Sequence, residues 1–232
     1  MATKLPDLRG QRNLSAKAVL PHLKSSKRLL EVAVQPTSQS RTGQIPSPKR
    51  IVLTGFMGAG KSTIGPRLAH RLGWSFIDLD DEIIRIEQRS IAEIFDAIGE
   101  GRFRELERNA LADTLQQEHI VLALGGGAIE TEANRQSIQE DNATLLLYLA
   151  APLEVLIERC ELQQLHRKAV RRPILERRAE LTERFQRRRP LYEQADWTID
   201  TTGKTLDELV HIIMTQWNKA SWKLAQEQPK KA

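Results

Sequence analysis

The run Gly55-Phe56-Met57-Gly58-Ala59-Gly60-Lys61-Ser62-Thr63 places glycine, four residues, glycine, lysine and then two hydroxyl residues in succession. That spacing suits the cradling of a polyphosphate. Glycines let backbone N–H groups turn inward around phosphate oxygens, and a helix starting near Lys61 aims its positive end at them. Gly58, Ala59, Gly60 and Thr63 would form the cradle, and the Lys61 ammonium would neutralise the β and γ oxygens. The Ser62 hydroxyl would ligate a Mg²⁺ that bridges those oxygens. GTPases, motor ATPases and small-molecule kinases share such a loop, so it points to a nucleotide and leaves the reaction to other residues.

Three further groups of residues bear on that reaction. Asp78-Leu79-Asp80 closes an apolar run, and strand alternation puts both carboxylates on one side of a sheet edge. There Asp78 is positioned to hold Mg²⁺ directly or through water, and Asp80 to accept a proton from an acceptor hydroxyl. Asp80 also opens a helix with Asp81 and Glu82 in its first turn, so an N-cap is the structural alternative. Gly125-Gly126-Gly127 follows another apolar run and would let a ligand approach the backbone closely. Arg104 and Arg188 offer planar donor forks suited to a carboxylate. The alternative for either is a surface ion pair, with Glu100, Glu105 and Glu107 near Arg104 in sequence.

These residues need a scaffold, and from Lys49 onward short apolar runs alternate with amphipathic stretches. Parallel strands joined by crossover helices produce that pattern. Strands are expected at 51–53, 74–78, 120–124, 144–149 and 197–200. Helices are expected at about 61–72, 80–87, 91–98, 102–117, 131–140, 153–160 and 206–217. Residues 1–48 are rich in Ser, Gln, Lys and Arg and end in Gln44-Ile45-Pro46-Ser47-Pro48, which reads as a disordered basic extension. Residues 221–232 read as a frayed C-terminal tail.

The whole chain has 232 residues, of which 40% are hydrophobic and 28% charged, enough for one α/β domain. No stretch approaches the roughly 18 apolar residues of a membrane helix. Cys160 is the single cysteine, which fits a reducing compartment, and a cytoplasmic location is expected. The formal charge of +5 raises nucleic acid as a partner. The charge gathers in the N-terminal segment and between Arg159 and Arg189, however, and aromatics for stacking on single strands are scarce. Converging arginines suit a nucleotide or an acidic metabolite better.

The series Gly55 to Thr63, Asp78-Leu79-Asp80, Ser90-Ile91-Ala92-Glu93-Ile94-Phe95, Phe103-Arg104-Glu105-Leu106-Glu107, Leu124 to Ala128, Arg172-Pro173-Ile174-Leu175 and Arg188-Arg189-Pro190-Leu191-Tyr192 resembles the shikimate kinases. The likeness covers about Lys49 to Gln216. It implies a three-layer P-loop fold, with a five-stranded parallel sheet covered by helices and a mobile lid at about 160–189, in a kinase domain of residues 49–220. It implies ATP and Mg²⁺, and a reaction yielding shikimate 3-phosphate and ADP in aromatic amino acid biosynthesis. By this likeness Asp80 contacts the substrate hydroxyls as the candidate base. Arg104 and Arg188 grip the carboxylate, with Gly126 and Gly127 alongside. Arg172 reaches the phosphates from the lid, Arg159 lies by the adenine, and the protein is a monomer.

The pattern departs from the family in places. The stretch between Arg159 and Arg172 is longer than usual, and that from Arg172 to Arg188 is shorter. Glu87-Gln88 replaces a common Thr-Gly, and Ile174 replaces a leucine. The remodelled lid motivates a second reading as a kinase for another polyol acid such as gluconate. The N-terminal extension motivates a third, a nucleotide-binding regulator without chemistry.

Overall fold

The computed structural model describes residues 34–36, 48–166 and 177–227. The sheet grows from two strands that are apolar on both faces. β2 (Arg50–Thr54) is buried at every position, and β5 (Thr144–Ala150) carries the run Leu145-Leu146-Leu147-Tyr148-Leu149. Strands covered on both faces lose polar alternation, because each side chain meets a helix. β3 (Ser75–Asp78), β4 (Ile120–Ala123) and β6 (Trp197–Asp200) join them in parallel, in the spatial order β3-β4-β2-β5-β6. β2 has β4 on one side and β5 on the other, so the order reverses at its carboxyl end and opens a crevice there.

Seven helices are described. α1 (Lys61–Leu72) packs on β3, β4 and the last helix, α7 (Leu206–Glu227), forming one outer layer. α3 (Ile91–Thr114) packs on α4 (Glu132–Glu140), which lies against β5 and forms the other. α2 (Leu79–Glu87), α5 (Leu153–His166) and α6 (Arg178–Tyr192) complete the set. The core between the layers is continuous from Ile51, Val52 and Leu53 to Val121, Leu122 and Leu147, all fully buried. Burying such a side chain contributes about 1.5–3 kcal/mol. No helix among the described residues is long and apolar enough to cross a membrane.

The five expected strands are present, and the structure revises several other expectations. Val34–Pro36, inside the segment expected to be disordered, forms β1 and pairs antiparallel with β6 as a sixth strand. The helices expected at 91–98 and 102–117 are both present and meet at Gly99 (φ 74°, ψ 171°), where the backbone leaves the helical region, and a Ser90–Glu93 box caps the first. α5 continues past Cys160 to His166, and Arg178–Tyr192 is helical, so both flanks of the expected lid are regular structure. α7 continues past Trp217 through the start of the expected tail, to Glu227. Arg172 lies outside the described residues.

Candidate active site

The crevice at the end of β2 holds the phosphate-type loop, which runs from Gly55 into the first turn of α1. Gly58 has φ 76°, and a Cβ there would lie 2.4 Å from the Leu156 carbonyl oxygen of α5, so the loop rests on that helix without room for a side chain. Lys61 Nζ donates to the carbonyls of Gly55 at 2.7 Å and Phe56 at 3.3 Å. Its ammonium is thus folded over the loop that it would share with a phosphate. Ser62 Oγ donates to Asp78 Oδ2 at 2.6 Å. These groups line a cavity of about 510 Å³ that also takes in Asp80, Gly125, Gly126, Gly127 and Arg188.

A recess of about 320 Å³ shares Gly58, Gly60, Thr63 and Gln163 with that cavity and extends to Arg159 and Lys204. The loop therefore separates two adjoining compartments. A larger hollow, about 740 Å³, lies beside α6 and β5. It touches none of the loop residues, and the acids and forks described below do not converge on it. Chemistry, not size, makes the first cavity the candidate.

The two aspartates divide their work. Asp78 is the N-cap of α2: its Oδ1 accepts from the Asp80 amide at 3.1 Å. The cap expected as the alternative role of Asp80 is thus filled by Asp78, and the Asp80 carboxylate turns towards the glycine triplet. A Cβ on Gly125 would lie 2.6 Å from Asp80 Oδ1. Burial raises the Asp80 pKa above the ordinary aspartate value and the Asp78 charge adds to it, against the pull of Lys61 and Arg104. A carboxylate with raised proton affinity beside a cation is suited to take a proton from a hydroxyl.

The two forks meet over Gly127. A Cβ there would lie 2.7 Å from Arg104 Nη2 and 3.0 Å from Arg188 Nη2. Arg104 donates to buried Glu107 at 2.8 Å and to Glu100 at 3.1 Å. Arg188 donates through Nε to Glu130 at 2.9 Å, with Nη2 2.7 Å from the same oxygen. Ion pair and ligand fork, set against each other in the sequence, are compatible here, since each guanidinium has five N–H donors. Tyr192 donates to the Gly126 carbonyl at 2.6 Å and fixes the wall between the forks. Burial raises the pKa of Glu107, with Arg104 opposing.

Most of the residues singled out from the sequence come together: Gly58, Gly60, Lys61, Ser62, Thr63, Asp78, Asp80, Gly126, Gly127 and Arg188 line the cavity, and Arg104 reaches Gly127. Ala59 and Arg159 line the recess, where Arg159 donates to the Thr201 hydroxyl at 2.9 Å and carbonyl at 2.8 Å. Sequence reasoning gave no role to Glu130, Tyr192 or Gln163, and Glu107 entered only as an ion-pair partner. Glu107 was findable, one helical turn from Arg104. Glu130 reaches Arg188 across 58 positions of chain, which local pattern does not reveal.

The shikimate kinase family model matches residues 57–218. A curated relative, the shikimate kinase of Salinibacter ruber, is 42% identical over 175 residues, covering 73% of this chain and 84% of the relative. That of Persephonella marina is 37% identical over 167 residues, covering 72% and 97%. Among solved structures, shikimate kinase from Acinetobacter baumannii in complex with shikimate superposes with a TM-score of 0.65 at 32% identity, covering 77% of this chain and 97% of that one. The enzyme from Aquifex aeolicus gives 0.64 at 33%, covering 74% and 99%. A gluconokinase from Sinorhizobium meliloti gives 0.54 at 20% identity, a likeness of fold alone. The match runs from the loop at Met57 into α7 and takes in both compartments, and on that extent the chain belongs to the shikimate kinase family.

Proposed function

We propose that this chain transfers the γ-phosphoryl group of ATP to the 3-hydroxyl of shikimate, giving ADP and shikimate 3-phosphate. The observation that carries this reading is the meeting of Arg104 and Arg188 over Gly127, in the wall of the cavity that Asp80 and Lys61 also line. A carboxylate gripped by the two forks holds the rest of a small ring between the glycine wall and the acid. Transfer of a phosphoryl group asks little covalent help of the protein and much positioning and charge neutralisation.

Each residue has a task in that scheme. The loop amides and Lys61 hold the β and γ phosphates. Ser62 Oγ and Asp78 Oδ2, a pair of hard oxygen donors at the loop, fit Mg²⁺, which takes few protein ligands and keeps the rest as water and phosphate. When bound, the ion would neutralise charge on the β and γ phosphate oxygens. Asp80 accepts the proton of the attacking hydroxyl, and its burial, which favours the protonated form, suits it to that task. Arg159 borders the nucleoside recess, and Arg172 is assigned the phosphates from the segment joining α5 to α6. Excluding water from the cavity protects the phosphoryl group from hydrolysis. The reading includes a monomer working in the cytoplasm.

Purified protein with ATP, Mg²⁺ and shikimate is expected to release ADP in proportion to shikimate consumed. Gluconate in the same assay is expected to give none. Absence of shikimate-dependent turnover refutes the proposal, and turnover with gluconate alone moves it to the other polyol acid.

A further inference from the structure

We infer that Glu130 is a positioning residue of the substrate site, holding Arg188 side-on so that the end of its guanidinium faces Gly126 and Gly127. The inference rests on the function proposed above and adds to it a residue outside the cavity lining.

A guanidinium has a side edge, formed by Nε and one terminal nitrogen, and an end edge formed by its two terminal nitrogens. Both can pair with a carboxylate. Glu130 takes the side edge, with Oε2 at 2.9 Å from Nε and 2.7 Å from Nη2 of Arg188. Nη1 is left towards the glycine wall, 3.6 Å from where a Cβ on Gly126 would sit. Tyr192, whose hydroxyl donates to the Gly126 carbonyl, also stands beside this guanidinium, and a second carboxylate would be received at the end edge. Arg188 comes from a helix remote in sequence, and its long side chain has many rotamers. Without a fixed partner, ordering it on binding would weaken the site.

Glu130 is itself held in place. It ends the short 3₁₀ turn Ala128–Glu130 that follows the glycine triplet. Its amide donates to the Gly127 carbonyl at 2.9 Å, and its carbonyl accepts from Arg135 at 2.9 Å. The turn is anchored further by buried Asn134, which donates to the Ala128 carbonyl at 2.9 Å. The residue that holds Arg188 thus stands on the same backbone segment as the wall that Arg188 faces. Register between fork and wall is built into one turn. The other oxygen of Glu130 accepts from the exposed Arg187 at 2.8 Å. Burial opposes ionisation of Glu130, but the two arginines outweigh it and hold the carboxyl below its ordinary range.

Charge alone predicts the reverse of positioning. Glu130 lies beside a cation meant for an anionic substrate, so removing its charge should strengthen shikimate binding if field strength decides. If orientation decides, removing the carboxylate should weaken it. Glu130→Ala removes the contact and the charge, whereas Glu130→Gln removes the charge and keeps an acceptor oxygen for Nε.

Steady-state kinetics of the full chain, varying shikimate at saturating ATP and then ATP at saturating shikimate, separate these cases. We expect Glu130→Ala to raise the KM for shikimate by about two- to tenfold, the cost of ordering one rotamer-rich side chain. Glu130→Gln should fall between it and the wild type, with kcat and the KM for ATP within twofold of wild type in both. Arg187→Ala, which removes only the exposed partner, should leave the KM for shikimate within twofold. A lowered or unchanged KM for shikimate in Glu130→Ala overturns the inference, as does an equal rise in the KM for ATP. A rise in Arg187→Ala matching that in Glu130→Ala reassigns the effect to surface charge and overturns it too. All of these leave the proposed function standing, whereas a wild-type protein without shikimate-dependent turnover removes both.

Discussion

Replacing Gly127 by alanine separates the substrate grip from the fold. Gly127 has φ −102° and ψ −11°, a conformation open to any residue, so the backbone itself offers no resistance. The added Cβ would lie 2.7 and 2.9 Å from the terminal nitrogens of Arg104 and 3.0 Å from Arg188 Nη2. Comfortable contact begins near 3.5 Å, so each fork must retreat by roughly 0.5–0.8 Å. The displaced atoms are the far ends of long side chains, so the shift strains the ion pairs to Glu107 and Glu130 and leaves the backbone in place. Less freedom in the unfolded chain adds back about 0.4–1 kcal/mol. Folding stability should therefore stay within about 1 kcal/mol of the wild type. The substrate fares worse. A charge-assisted hydrogen bond contributes about 1.5–3 kcal/mol, and each 1.4 kcal/mol is tenfold. Losing one such bond lowers kcat/KM for shikimate by roughly 10- to 150-fold. The assay is coupled ADP release over a shikimate titration, with urea unfolding for stability and ADP titration for the nucleotide compartment. A stable variant whose kcat/KM stays within twofold of wild type would refute the grip at Gly127.

Two further substitutions test other parts of the structure. Asp80→Asn should cut turnover by about a hundredfold or more, the usual cost of a lost acid or base, while nucleotide binding persists. It should also stabilise the protein at neutral pH. The folded-state pKa of Asp80 is raised above 3.8, so the wild type loses stability as pH rises from that value through the folded pKa, and asparagine does not. Thermal melts at pH 7 and below pH 4 test this, the gain being expected to vanish in acid, and a destabilised variant at pH 7 counts against burial as the cause of the shift. Gln88 ends α2 in the left-handed region (φ 54°, ψ 31°), with its side chain donating to the Arg85 carbonyl. Gln88→Gly relieves the backbone at the loss of one exposed hydrogen bond and should stabilise by about 0.5 kcal/mol. A lower urea midpoint would contradict the strain argument.

The phosphate loop and the five parallel strands were legible because their causes are local: glycine spacing in the one, continuous apolar runs in the other. Asp78 and Asp80 were legible as a pair, but not which of them caps α2, since that depends on which carboxylate bonds the first amides of the helix. α6 was hidden for a physical reason. Its buried stripe is Leu181, Phe185, Arg188 and Tyr192, a helical spacing in which a site arginine takes an apolar place, and Pro190 adds a breaker near the end. Charged flanks on either side then drown the periodicity. β1 was hidden because three residues ending in Pro36 carry no alternation, and pairing with β6 alone makes them a strand. Glu130 belongs to the same class, since only the tertiary fold brings it to Arg188.

β1 has a consequence for how the molecule keeps to itself. β6 would otherwise be the outermost strand on its side, offering a row of unpaired amides and carbonyls to any extended chain in solution. Val34–Pro36 occupies that row, and Pro36, lacking an amide hydrogen, offers one donor fewer to a newcomer. A shortened chain starting at Lys49 would retain every cavity residue while baring this flank. Its liability would be self-association at high concentration, with the chemistry intact.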